Sequence, residues 1–136
     1  MVKAIRDLWI QREDGIVIFS RVYHQTIEDQ LFGALMSALN SFAQEIADGG
    51  LNNFEIKNIR FTIIKKGNLF FIANSSKKYK EKKILTELEQ ISKKFVDLYP
   101  ETTKVDWNGC IDEYMTFEDK ISDVLEDPVK KFWDDF

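Results

Sequence analysis

Between Phe54 and Asn74 the chain carries three strand-like runs in quick succession, and the last two are apolar toward both sides. The runs are Phe54–Lys57, Ile59–Ile64 and Leu69–Ala73, the second and third joined by Lys65-Lys66-Gly67-Asn68. Gly-Asn suits a hairpin because both residues tolerate positive φ. The strand residues are β-branched or aromatic, types that fit a pleated surface. Successive side chains of a strand point to opposite faces, yet Ile63 and Ile64 are adjacent and Leu69 to Ala73 is apolar throughout. Strands of that kind need cover on both faces. A sheet with helices above and below it is therefore the expectation.

The flanking sequence supplies those helices. Ala4–Gln11 and Ile16–Tyr23 read as a first hairpin through Glu13-Asp14-Gly15, since Asp-Gly between strand-like runs is a strong turn signal. Thr26 and the acids Glu28 and Asp29 mark a helix start, and Gly49-Gly50 marks its end after about Asp48. Ile27, Leu31, Leu35, Ala38, Phe42 and Ile46 form one stripe at helical spacing, expected to lie on the sheet. A second stripe, Phe32, Met36, Leu39 and Ala43, lies about 100° round from it. Together they span roughly 200°, more than one sheet contact needs. Either the helix is sunk in its own core or the second stripe meets a partner. A second helix runs from about Glu81 to Tyr99 on the stripe Ile84, Leu88, Ile91, Phe95 and Leu98, and Pro100 ends it. The stretch 101–114 is irregular, with Trp107 as a packed plug. A last helix starts at Thr116 with Phe117, Ile121, Val124 and Leu125 inward, and Asp127-Pro128 interrupts it.

The reading is one α+β domain over residues 1–126, two strands, a helix, three strands and two helices, followed by an amphipathic tail over 127–136. At 136 residues the chain buries roughly two-thirds of its unfolded surface. A net charge of −4 argues against a general nucleic-acid binder. Cys110 is the single cysteine, which excludes an internal disulfide or a cysteine zinc cluster. No run approaches the roughly 20 apolar residues of a membrane span, and an intracellular, cytoplasmic setting is expected.

Catalytic apparatus is missing. His24 is the sole histidine and reads as a boundary residue at a strand end, not a base beside a nucleophile. Phosphate-binding glycine loops are absent, and Gly49-Gly50 follows a helix, the wrong context for one. The acid pairs Glu13-Asp14, Asp112-Glu113 and Glu118-Asp119 are neighbours that point apart. Clustered metal ligands are not evident, and no cofactor is expected. What remains is a dense basic run, Lys77, Lys78, Lys80, Lys82 and Lys83, which is solvated surface or a contact for an anionic membrane or acidic partner. A binding module, not an enzyme, fits these residues best.

The chain resembles longin domains from Ala4 to about Ile121, including the small-subunit type of clathrin adaptors and trafficking complexes. The resemblance is strongest at Asn53-Phe54-Glu55-Ile56 and at Ile59 through Ile72, where a strand, a lysine-rich turn and the apolar Leu69-Phe70-Phe71-Ile72 strand follow one another. Divergent archaeal longin-like proteins are the most similar kind; Trp107-Asn108-Gly109 and the acidic tail depart from the adaptor subunits. The resemblance implies a five-stranded antiparallel sheet with one helix on one face and two on the other. It implies no enzyme activity, and a platform for small GTPases or for other longin or roadblock domains in vesicle trafficking. The rival roadblock family begins with a helix, whereas this chain begins with a strand hairpin. The alternative from another class is a small-molecule sensor of PAS or profilin type. The longin order puts Phe54–Lys57 at the sheet border, where unpaired backbone invites strand addition. The expected partner-binding residues are Phe32, Met36, Leu39, Ala43, Phe54 and Ile56, meeting a second copy of the chain or a longin, roadblock or GTPase domain.

The tail carries its own expectation. Val129, Phe132, Trp133 and Phe136 share one helical face, and the reading is that this face folds back on the domain. Burying each fully contributes about 1.5–3 kcal/mol. Truncation after Asp127 should lower the melting temperature measurably; an unchanged value means the tail is free for a partner.

Overall fold

A computed structural model describes residues 4–22, 27–48, 50–100 and 117. Its elements are β1 (Asp7–Arg12), β2 (Val17–Arg21), α1 (Asp29–Ile46), β3 (Asn53–Ile56), β4 (Ile59–Lys66), β5 (Leu69–Ser76) and α2 (Glu81–Leu98). The strands form one antiparallel sheet in the order β2-β1-β5-β4-β3. This is the expected five-stranded α+β arrangement. Strand β3 is an edge, as the longin-like order required.

The adjacent isoleucines of β4 do what their spacing demanded. Ile63 faces one core with Trp9, Phe70 and Ile72 beneath Phe32 and Met36 of α1. Ile64 faces the other with Leu8, Ile10, Leu69, Phe71 and Ala73 beneath Ile84, Leu88, Ile91 and Phe95 of α2. Helix α1 leaves β2 at one edge, crosses its face, and delivers the chain to β3 at the other edge. On the α2 face, Phe117 is buried and helical, edge-to-face against Phe19 at 5.3 Å and Phe95 at 5.1 Å. The rest of the expected last helix, the tail, His24, Thr26, Trp107 and Cys110 lie outside the described residues.

Element boundaries differ from expectation where side chains settle the ends. Ala4 and Ile5 precede β1 but are buried, and the Ala4 N–H donates to the Glu87 carboxylate at 3.0 Å. Helix α1 starts three residues after Thr26, capped by Glu28, whose carboxylate accepts the Gln30 N–H at 3.1 Å. Leu98 is exposed, and Tyr99 packs beside Phe95 at 5.0 Å instead.

A single glycine sets how closely α1 approaches the β1–β2 turn. A Cβ on Gly33 would sit 2.2 Å from the Gly15 carbonyl oxygen and 2.8 Å from Val17 Cγ2. Neither the turn backbone nor the helix has room to yield, because the Gly33 carbonyl also accepts the Gln11 Nε2 at 3.1 Å. Overpacking of this kind costs about 1–3 kcal/mol, occasionally more. Gly33→Ala should therefore fall at or above the upper end of that range in urea denaturation, although alanine is the better helix former.

Candidate functional site

The two apolar stripes of α1 are used the opposite way from expectation. Phe32 and Met36 are 5% and 1% exposed, covered by the sheet. Leu31, Leu35, Phe42 and Ile46 are 58%, 49%, 66% and 72% exposed. The physical reason is in the residues between the apolar ones. Phe32 stacks on Trp9 with ring centroids 4.2 Å apart. On the same side of the helix Gly33 permits the close approach, Ser37 Oγ donates to the Glu13 carbonyl at 2.6 Å, and buried Asn40 accepts the Leu51 N–H at 3.1 Å. These small and polar residues bond the loops that flank the sheet, so they turn the helix with the less apolar stripe inward. Phe32 and Met36 are thus core residues, and the partner-facing role expected of them does not fit their burial.

The outer stripe continues into a groove. Leu39, Phe42, Ala43 and Ile46 of α1, with Ala47 just after it, face Gly50, Leu51 and Phe54 across an open, almost wholly apolar space of about 370 Å³. Three of the residues expected to bind a partner, Leu39, Ala43 and Phe54, line it. Phe54 is fixed there by face-to-face stacking on Phe61, with centroids 4.7 Å apart and planes within 3°. Ile56, exposed at the end of β3, pairs with the exposed Ile59. Residues i and i+2 of a strand share a face, so Ile56 extends the apolar side that Phe54 begins. Sequence reasoning missed Phe42, Ile46 and Leu51. The signal that could have found them was the run Gly33, Ser37, Asn40, which marks the inner side of the helix.

Beside the groove runs the edge of β3. The Ile63 N–H donates to the Asn52 carbonyl at 2.8 Å, which fixes the alternation of the ladder. Asn53 and Glu55 then present their backbone N–H and C=O outward. Among the described residues no bond reaches those groups. The Glu55 side chain is held on the other face of the sheet by Lys77 at 2.9 Å and Arg60 at 3.4 Å. Its hydrogen bond to Lys77, with Arg60 assisting, keeps its carboxyl below the usual range.

The basic run is divided by the fold. Lys77 pairs with Glu55, and Lys83 pairs with Glu87 at 3.3 Å. Lys78 lies over the Tyr79 ring, Lys80 is the residue before the first turn of α2, and Lys82 lines a second open groove. That groove, of about 880 Å³, lies between α2 and the β4–β5 turn, with Lys66, Leu85, Glu89, Lys93 and Val96 among its walls. Among the described residues no cluster of His, Cys, Asp or Glu is arranged for a metal, and no helix is long and apolar enough to cross a membrane.

The contrast between the stripes gives a direct check. Met36→Ala should cost about 2–5 kcal/mol, as for a buried large side chain. Read at protein concentrations low enough to keep the chain monomeric, Phe42→Ala should stay within about 0.5 kcal/mol of the parent, as for an exposed site. Equal losses in denaturant titrations would overturn the assignment of faces.

No family model matches the sequence, and no curated protein does. Similarity appears among solved structures. Myxococcus xanthus MglB superposes with a TM-score of 0.57 at 13% identity, covering 71% of this chain and 84% of that one. A roadblock/LC7 domain from Streptomyces avermitilis gives 0.56 at 15% identity, covering 73% and 88%. The gliding protein MglB from Thermus thermophilus gives 0.51 at 9% identity, covering 60% and 68%. At these identities the likeness is one of fold: this chain shares the arrangement of sheet and helices of these MglB and roadblock/LC7 structures.

Proposed function

We propose that this chain is a non-catalytic interaction domain that associates through the α1–β3 face. The observation that carries the reading is the meeting of two complementary features at one place. A row of outward N–H and C=O groups on β3 adjoins a helix stripe of exposed Leu35, Phe42 and Ile46, and the apolar groove joins them. Strand addition supplies directional hydrogen bonds, and the stripe supplies apolar area and side-chain specificity. The partner this combination favours is a second copy of the chain. Two β3 strands run antiparallel across a twofold axis, so each copy offers the same groups that it needs. Phe42 and Ile46 of the two copies then cover each other.

The wider role we infer is that of a platform for a small GTPase or for another longin or roadblock protein, in cytoplasmic regulation of the membrane-trafficking type. Its support is the resemblance of the sequence to longin domains and the shared fold with MglB and roadblock/LC7 structures. A second reading, a small-molecule sensor, draws on the larger groove along α2, where Leu85 and Val96 are flanked by Lys82 and Lys93.

Sedimentation velocity over a concentration series tests the first reading. The parent should be a dimer. Phe42→Asp and Asn53→Pro should both give folded monomers by circular dichroism and sedimentation, the first by placing a carboxylate in the apolar contact and the second by removing an outward N–H. Proline is tolerated at the first residue of an edge strand, so the fold should survive. A parent that stays monomeric, or variants that stay dimeric, would sink it. Pull-downs from lysates loaded with GDP or a GTP analogue separate the platform from the sensor, which instead predicts a co-purified small molecule lost on Leu85→Asp.

A further inference from the structure

Both edges of an open sheet are templates for another strand unless something occupies them. Here the two edges are treated differently. At β2 the side-chain carboxamide of Gln30 lies against Val17. Its Nε2 donates to the Val17 carbonyl at 3.1 Å, and its Oε1 accepts the Val17 N–H at 3.1 Å. The peptide groups of a sixth strand would make this same pair of bonds. Ladder bonds lie across the strands in the plane of the sheet, so the carboxamide stands where the backbone of that strand would run.

The carboxamide is also held in place. Gln30 sits in the first turn of α1, with its own N–H given to the Glu28 carboxylate at 3.1 Å. Its neighbour Asp29 accepts the Ser20 hydroxyl of β2 at 2.6 Å. One turn on, Gly33 lets the helix lie against Gly15 and Val17, and Ser37 ties the following turn to Glu13. A neutral amide meets both a donor and an acceptor; a lysine or a carboxylate would meet one and oppose the other. At β3 nothing comparable is present among the described residues, and Asn53 and Glu55 keep their outward groups.

We propose that the Gln30 carboxamide is an edge guard, which confines strand addition to β3 and makes association through this sheet close at two copies. A chain with two usable edges adds copies at both and grows into an open array. A chain with one usable edge exhausts it in a twofold pair. The closure at two copies rests on the β3 pairing proposed above; the blocking of β2 does not.

Gln30→Ala tests the guard in two backgrounds, the parent and Asn53→Pro. The position is exposed and alanine is a strong helix former, so the helix is retained. In the parent background the variant should form species larger than a dimer as concentration rises. In the Asn53→Pro background it should associate at least tenfold more tightly than Asn53→Pro alone, through the uncovered β2 edge. Size distributions unchanged by Gln30→Ala in both backgrounds would overturn the guard. A dimer that survives Asn53→Pro would instead remove the β3 reading, while a further association step on adding Gln30→Ala would still support the guard. Amide hydrogen exchange gives a readout that needs no association. The Val17 amide should exchange at least tenfold faster in Gln30→Ala than in the parent, and equal rates would overturn the proposal.

Discussion

Strand β5 leaves no side for water, and the rest of the structure follows from that. It is paired along both edges, with β1 and β4, and Leu69 through Ser75 are buried on both faces. A central strand of this kind forces two covering layers. One layer is α2, whose narrow stripe of Ile84, Leu88, Ile91 and Phe95 meets the odd-numbered side of β5 at Leu69, Phe71 and Ala73. The other is α1, which meets Phe70 and Ile72 together with Trp9. Because α1 also has to carry the chain from the β2 edge to the β3 edge, it crosses the sheet from border to border. The two borders are therefore finished by the same helix, the first turn at β2 and the last at β3.

That shared helix explains why the borders differ. At its start α1 lies close, drawn in by Gly33 and by the bonds of Gln30 and Asp29 to β2. At its end it stands off, and the space left before β3 is the groove under Phe42 and Ile46. Asn40 and Gly50 mark the change. The Asn40 side chain holds Leu51, and a Cβ on Gly50, at φ +68°, would lie 2.5 Å from Asn40 Oδ1. The chain thus turns tightly into β3 without bringing the helix down on it.

The fold was legible because its strands announce themselves. Ile63-Ile64 and Leu69–Ala73 allowed no single-sided sheet, and Asp14-Gly15 and Gly67-Asn68 set the turns. The position of β3 as an edge was legible as well. The facing of α1 was not, because helical periodicity reports that two apolar stripes exist and not which is inside. The choice was made by tertiary contacts, the Trp9 ring under Phe32, the Gly15 carbonyl beside Gly33 and the Leu51 N–H above Asn40, whose trace in the sequence is the run Gly33, Ser37 and Asn40. The groove was half legible for the same reason. Phe54, Leu39 and Ala43 follow from the strand and the helix end, whereas Phe42 and Ile46 depend on the facing. The lysine run was read as one surface, yet Glu55, distant in sequence, and Glu87, one helical turn beyond Lys83, divide it.

One of those lysines, Lys77, bears directly on the sheet edge. A four-residue edge strand with one paired side is weakly held by its own ladder. Here β3 is also fastened from the opposite layer, since Lys77, at the end of β5, reaches Glu55 at 2.9 Å, and Asn53 Nδ2 donates to Glu81 of the first turn of α2 at 3.3 Å. Phe54, between them, points the other way and stacks on Phe61. The strand is thus pinned on both faces while its outward backbone stays open. Each exposed ion pair contributes little alone, but the bonds cooperate in keeping the strand extended. Their pH dependence follows from the lowered carboxyl of Glu55: the tie is complete above the ordinary glutamate range and is lost as pH falls through the lowered value. An edge fixed in this way presents its N–H and C=O groups with little ordering left to do, the condition under which strand addition loses least entropy.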